Sequence, residues 1–164
     1  MIHLLEQLRQ QQIPTAPTGT EIYETGTAAS IGVDEGNSIG TWGITKATIE
    51  SSSSDSHDGT YSLLITGVDD VDSDYGKYFF NATDGLTYKI SFWSKAGVGT
   101  TQKVSIGGFT TTVNLEDISD TVWTYREYTL VSSGTGSKNI FLYATRFGAT
   151  GDTLYIDELS ILEL

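Results

Sequence analysis

The sequence predicts an all-β protein, a two-sheet antiparallel β-sandwich preceded by a short N-terminal helix. Apolar and polar residues alternate with period two from Thr20 onward, as in strands with one buried face. Turn-forming pairs such as Asp58-Gly59 and Asp84-Gly85 interrupt the alternation where strands should reverse. The 18 Gly, 2 Pro and many Thr, Ser and Tyr suit short strands joined by tight turns. At 164 residues the chain fits one domain, which we place at residues 20–164.

The first thirteen residues predict an amphipathic helix with an apolar stripe on one face: Met1, Leu4, Leu5 and Leu8. A helix this short is marginal alone in water, so its stripe should dock on the domain, on sister copies or on another protein. The alternative is a frayed terminus. His3 and Glu6 interrupt the apolar run, so we expect no signal peptide and no membrane span. Residues 14–19 then predict an extended linker, because they contain both prolines.

Ten strands are predicted in the body of the chain. Their expected ranges are 21–24, 42–51, 60–68, 77–81, 87–95, 103–106, 110–115, 123–131, 139–146 and 153–162. In the fifth of these, the alternation predicts a core face of Tyr88, Ile90 and Phe92, with Trp93 on the opposite face. In the ninth it predicts a core face of Ile140, Leu142 and Ala144.

Charge limits the partners of the protein. The sequence has 21 acidic and 9 basic residues, a formal net charge of −12. Such a surface repels phosphate backbones and anionic bilayers, so we expect neither nucleic acid nor membrane as a partner. The chain has no Cys, which excludes disulfides and thiolate metal sites.

Catalytic motifs are not evident. The two histidines are His3, in the predicted helix, and His57, whose neighbours Ser56 and Asp58 point away from it in an extended chain. No acid lies in an apolar setting that would raise its pKa. We therefore expect a non-enzyme, with a glycosidase using paired carboxylates as the alternative.

An acidic segment, residues 69–76, partly copies the start of a calcium loop through Asp70, Asp72 and Asp74. The glycine comes one residue late and the twelfth position is Asn81 instead of Glu. A solvated acidic turn is the interpretation that we favour over a second cation site.

Three stretches carry a resemblance to a known family. They are residues 58–65, residues 85–96 and the last strand, residues 154–161, which holds an acid, Asp157, in its middle. Together with Glu24 and an isolated Trp123, they resemble the galactose-binding-like β-jelly-roll carbohydrate-binding modules, the group that includes xylan- and glucan-binding modules. The resemblance covers residues 20–164 and implies a jelly roll for them.

The resemblance also implies a structural calcium ion. Modules of this kind often hold one between the first strand, the loop before the glycine-tyrosine strand and the acid of the last strand. These positions fall on Glu24, on residues 56–58 with Asp58, and on Asp157. Oxygen ligands from three segments suit a hard cation. The alternative is that Asp157 caps backbone amides at a bulge.

Sugar binding, which the resemblance also implies, would use exposed aromatic rings and a hydrogen-bonding cation. The candidates are Trp93, Tyr143, Arg146 and Tyr78, with Trp93, Tyr143 and Arg146 as one stacking platform. Most aromatic residues of a small sandwich belong to its core, which is the alternative for each.

These expectations lead to two readings of function. In one, the protein is a glycan-binding jelly roll displayed on a particle such as a bacteriophage virion, where residues 1–13 anchor it or join it into a homo-oligomer. In the other, it is the extracellular glycan-binding module of a polysaccharide-degrading system.

Overall fold

The computed structural model describes residues 20–24, 42–69, 73–146 and 149–164, with only the backbone of residues 20–24. The described residues form eleven strands. These are β1 (Thr20–Glu24), β2 (Gly43–Thr45), β3 (Ala47–Ser52), β4 (Ser62–Gly67), β5 (Ser73–Ala82), β6 (Thr87–Ala96), β7 (Lys103–Gly107), β8 (Val113–Asp117), β9 (Thr124–Val131), β10 (Gly136–Arg146) and β11 (Thr153–Glu163). The helix predicted at residues 1–13 and the linker at 14–19 lie outside the described residues.

The strands form two antiparallel sheets, as the alternation of the sequence predicted. The first sheet has the order β3-β4-β11-β6-β9, with β1 also paired to β11. The second has the order β2-β5-β10-β7-β8. Within the described ranges, no helix has the length and hydropathy that crossing a membrane requires.

Strand β11 organises the first sheet. Its first half pairs with β4 from Thr153↔Thr66, and its second half pairs with β1 as far as Thr20↔Glu163. Its other edge pairs with β6 along almost its whole length. A bulge between Asp157 and Ser160 separates the two halves, and Glu158 within it has a φ of 50°.

The core lies between the sheets. On β6 the predicted core residues Tyr88, Ile90 and Phe92 are fully buried. On β10 the predicted core face is also confirmed, because Ile140, Leu142 and Ala144 are fully buried as well. These two strands therefore fix which side chains of each sheet point outward.

The predicted and observed strands differ at several bounds; the range 110–115, for example, becomes β8 at Val113–Asp117. Two differences bear on the site. The range 42–51 is divided into β2, in the second sheet, and β3, in the first, because Lys46 adopts a φ of 49° and turns the chain between the sheets. Strand β5 begins at Ser73, four residues before the predicted start, so the acidic segment runs directly into a strand.

Candidate functional site

The outer face of the second sheet carries a continuous group of aromatic side chains. It is formed by Tyr75 and Phe79 on β5 and by Phe141 and Tyr143 on β10, with Lys77 between them; we call these five residues the aromatic face. In the register of the two strands, Tyr143 lies opposite Tyr75 and Phe141 lies opposite Lys77. Strand alternation explains the grouping, because every second residue of each strand points away from the core.

The rings of the aromatic face contact one another edge to face. The Tyr75 and Tyr143 centroids are 5.1 Å apart with an interplanar angle of 62°. The Tyr75 and Phe141 centroids are 5.4 Å apart at 81°. Such tilted pairs stabilise each other by about 0.5 to 1.5 kcal/mol beyond their buried area. The rings are therefore held in place before any ligand arrives.

Two cations accompany these rings. The Lys77 Nζ lies 4.5 Å from the Phe79 centroid and 5.5 Å from the Phe141 centroid. At the end of β10, the Arg146 guanidinium carbon lies 6.0 Å from the Tyr143 ring and its Nη1 donates to the Ser73 hydroxyl. Each contact is within the range of a cation–π interaction.

Partial burial raises the pKa of Tyr143 above its ordinary value of 10.0, an effect that the nearby Arg146 opposes. The Tyr143 hydroxyl is therefore neutral at physiological pH. It can both donate and accept a hydrogen bond at the margin of the apolar rings.

The structure separates the residues that the sequence placed on one platform. Tyr143 and Arg146 lie on β10, at the aromatic face. Trp93 lies on β6 of the first sheet, opposite Tyr125 in register, and points outward on the other side of the sandwich. The expectation of a single platform that includes Trp93 is therefore wrong, because two outward faces of a sandwich cannot meet.

A loop covers Trp93. The His57 imidazole stacks on the indole with centroids 3.7 Å apart and an interplanar angle of 13°. Two residues earlier in the same loop, Asp55 accepts a hydrogen bond from Trp123 Nε1 at 2.9 Å and pairs with Lys95. Trp93 and Trp123 are thus partly covered by the chain itself, whereas Tyr125 on the same sheet stays exposed. We call residues 53–61 the covering loop.

Tyr78 belongs to the core, contrary to its expected part in ligand binding. It is 7% exposed and packs on Trp42, with ring centroids 5.3 Å apart. Both Tyr78 and its outward neighbour Phe79 are apolar, so the alternation of β5 does not reveal which one is buried.

Asp157 is a buried cap of backbone amides. Its Oδ2 accepts from the amides of His57 at 2.9 Å and Asp58 at 3.3 Å, and its Oδ1 accepts from the amide of Glu158 at 2.9 Å. The side chain is 2% exposed and begins the bulge of β11. The alternative in which Asp157 caps amides at a bulge therefore agrees with the contacts.

The predicted calcium ligands come from segments that do meet. Strand β1 pairs Glu24 with Ser160, near the Asp157 bulge, and Asp58 approaches Asp157 through its amide. In the described part of the chain, however, no group of three or more acidic or histidine side chains is placed to hold a metal ion. The described donors fit an amide cap. The calcium ion stays a prediction of the resemblance, because the Glu24 side chain lies outside the described atoms.

The acidic segment is not a solvated turn throughout. Asp74 is fully buried on β5 and its Oδ2 accepts from the Asp69 amide at 2.8 Å, while the Asp69 carboxylate pairs with Lys46 at 2.8 Å. The expectation of a solvated turn is therefore wrong for Asp74. Because β5 begins earlier than predicted, the Asp74 side chain lies on the buried face of that strand. Asp70 and Asp72 lie outside the described residues.

The described residues share the fold of the β-jelly-roll carbohydrate-binding modules, as the superposition with solved structures shows. The CBM22-1 xylan-binding domain of Xyn10C from Paenibacillus barcinonensis superposes with a TM-score of 0.63 at 15% identity, over 90% of this chain and 97% of that domain. TmCBM61, solved in complex with β-1,4-galactotriose, superposes with a TM-score of 0.56 at 14% identity, over 88% and 99%.

A bacteriophage protein shares the fold too. The enzymatically active domain of tailspike protein 4 from Bacteriophage CBA120 superposes with a TM-score of 0.54 at 12% identity, over 76% of this chain and 19% of that one. No protein-family model and no curated protein sequence matches the chain. The resemblance predicted from the sequence is confirmed at the level of fold.

Sequence reasoning missed three members of the aromatic face. Tyr75 was assigned to the acidic turn, and Lys77 and Phe79 were placed in a strand whose outward side was not assigned. The signal that could have found them is the alternation Tyr75, Lys77, Phe79, which continues without interruption through the predicted turn.

Proposed function

We propose that the protein is a non-catalytic glycan-binding jelly roll that binds saccharides on its aromatic face. The observation that carries this proposal is the outward group of Tyr75, Phe141 and Tyr143, whose rings brace one another at 5.1 to 5.4 Å. The apolar C–H face of a sugar ring stacks on such surfaces, while hydroxyls and cations at the margin hydrogen-bond to its polar groups.

The exposure of the face supports this proposal. The rings of Tyr75, Phe141 and Tyr143 are half-buried and Phe79 is 38% exposed, so they are accessible from solvent. Four aromatic side chains on one outer surface are not needed for the core, which lies on the other side of the sheet. Clustered outward aromatic residues mark interaction surfaces.

The neighbours in fold give further support for a glycan partner. One of them is a xylan-binding domain and another was solved with a galactotriose. A glycosidase is the alternative activity, and it would require a pair of carboxylates beside the bound sugar. Instead of carboxylates, the aromatic face presents the hydroxyls of Tyr75 and Tyr143 and the ammonium of Lys77.

Binding is tested by isothermal titration with soluble xylan, galactan and glucan oligosaccharides, using variants matched across the sandwich. Phe141→Ala and Tyr143→Ala should each weaken binding about tenfold or more, as alanine does at the centre of a binding surface. Tyr125→Ala removes an aromatic side chain that is 46% exposed on the opposite sheet and should leave affinity unchanged. Equal losses in all three variants would contradict the assignment of the site.

We further propose that the protein is displayed on a particle such as a phage virion through residues 1–13, as a homo-oligomer or bound to another protein. The apolar stripe of those residues and the fold shared with a phage tailspike domain support this reading. An extracellular polysaccharide-degrading system is the alternative setting. Deletion of residues 1–13 should abolish assembly measured by light scattering and leave the β-sheet circular dichroism intact. A truncated chain that assembles like the full one would contradict anchoring.

A further inference from the structure

We infer that the saccharide bound by the aromatic face is anionic, a glycan whose sugar units carry carboxylates, and that Lys77 pairs with one of them. This inference rests on the proposed function and adds the chemical class of the ligand. The charges of the second sheet and the position of Lys77 among the rings support it.

Charge is distributed unequally over the fold. The whole sequence has 21 acidic and 9 basic residues. The second sheet nevertheless holds four bases, Lys77, Lys103, Lys138 and Arg146, against three acids, Asp74, Glu116 and Asp117, and both Asp74 and Lys138 are buried. The two strands of the aromatic face, β5 and β10, therefore carry Lys77 and Arg146 but no exposed acid, in an otherwise acidic protein.

Most cations of the described residues are already paired with carboxylates. Ion pairs join Lys46 to Asp69, Lys89 to Glu127, Lys95 to Asp55, Lys103 to Asp117, and Arg126 to both Glu116 and Asp120. Lys138 is buried and donates to the carbonyls of Ser133 and Gly134. Across the described ranges, Lys77 has no ion pair.

Lys77 occupies the middle of the aromatic face. It pairs in register with Gly43 on one side and with Phe141 on the other, so a residue without a side chain flanks it. Its ammonium lies over Phe79 and Phe141, the rings on which a sugar would stack. A sugar on these rings would therefore place its substituents within reach of a cation that no carboxylate of the described residues pairs with.

An unpaired ammonium in this position favours carboxylates for a physical reason. A hydrogen bond to a charged partner contributes more than one to a neutral hydroxyl, and lysine offers three donors from a compact charge. The net charge of −12 repels anions over long distances, but physiological salt screens that repulsion beyond about 8 Å. Local contacts with Lys77 can therefore decide the preference.

The test compares related ligands with and without carboxylates. Oligogalacturonate is titrated against its methyl ester, and glucuronate-substituted xylo-oligosaccharide against the unsubstituted chain. The wild type should bind the acidic member of a pair about tenfold more tightly, the difference expected for one charge-assisted hydrogen bond. Raising the salt concentration should reduce that preference.

Matched variants assign the preference to Lys77. Lys77→Met keeps an unbranched side chain over the rings but removes the charge, and should bring the affinity ratio close to one. Lys77→Arg should keep the preference. Lys89→Met removes the same charge from the opposite sheet and should leave the ratio at its wild-type value.

Three outcomes would count against these ideas in distinguishable ways. A wild type that binds both members of each pair equally overturns the anionic ligand and leaves glycan binding standing. A preference that survives Lys77→Met overturns the role of Lys77. Failure to bind any acidic or neutral probe would overturn the proposed function together with the inference.

Discussion

The imidazole of His57 lies parallel to the indole of Trp93, with 3.7 Å between the ring centroids and 13° between the planes. The covering loop thus occupies the position that a sugar ring would take on an exposed tryptophan. Two hydrogen bonds, one from the ring and one from the backbone, hold His57 in this position. Its Nδ1 lies 3.1 Å from Glu158 Oε2, and the His57 amide donates to Asp157.

Trp93→Ala should therefore reduce stability more than it reduces glycan binding. A fully buried Trp costs about 3 to 5 kcal/mol when it is cut to Ala, and the half-buried Trp93 should cost about 1 to 3 kcal/mol. Urea unfolding measures this change, and titration with the best saccharide measures affinity. Lost affinity with unchanged stability would show that the loop moves aside and that the indole binds ligand.

Asp157→Asn should destabilise the fold by about 1 to 3 kcal/mol, because an amide cannot accept hydrogen bonds with both of its terminal atoms. Depending on how the new side-chain amide is turned, either the Glu158 amide or the amides of His57 and Asp58 then lose their acceptor. We expect the loss of stability caused by Asp157→Asn to be the same with and without a chelator. If a chelator instead lowers the melting temperature of the wild type and not of the variant, the acid binds the calcium ion that the resemblance implies.

Low pH should destabilise the covering loop, because it protonates Asp55. The hydrogen bond from Lys95 holds the pKa of Asp55 below its ordinary value of 3.8, although burial opposes this, and Trp123 lowers it further. A carboxyl with a lowered folded-state pKa contributes stability that is present above 3.8 and is lost as the pH falls through the folded value. Asp55→Asn should remove that contribution. The difference in unfolding free energy between wild type and variant should shrink as the pH falls below 3.8. A difference that stays constant with pH would contradict this.

Gly76→Ala should destabilise the core. A Cβ at Gly76, on the inner side of β5, would lie 2.6 Å from Ile49 Cδ1 and 3.1 Å from Ile65 Cδ1. Inserting a methyl group into a packed core costs about 1 to 3 kcal/mol. Gly107→Ala is the matched control, because a Cβ there has no atom within 4 Å and its φ is not positive. Thermal unfolding of the two variants compares them, and equal melting temperatures would contradict close packing at Gly76.

The fold was predictable from the sequence where one face of a strand is apolar and the other polar. In β6 the buried Tyr88, Ile90 and Phe92 alternate with Lys89, Ser91 and Lys95, so the alternation sets both the strand and its register. The site was less predictable because β5 carries aromatic residues on both faces. Local pattern does not separate Tyr78, which is buried, from Phe79, which is exposed.

The misplaced Trp93 has a different origin. It is the polar-face residue that alternation predicted, but a loop more than thirty residues earlier in the chain folds over it. Contacts of that separation depend on how β4 and β11 position the loop, which no local pattern encodes. The separation of Trp93 from Tyr143 likewise depends on which sheet each strand joins.

The position of β11 determines the order in which the strands of the first sheet can pair during folding. This strand follows every strand it joins, and it lies between β6 on one side and β4 with β1 on the other. Until it is inserted, the β3-β4 and β6-β9 pairs are separate and each leaves an edge open, and open edges can pair with other chains. The first sheet therefore closes late, through contacts that reach from Glu163 back to Thr20. Refolding limited by such distant pairing is slow, and chains stopped before β11 should aggregate during synthesis.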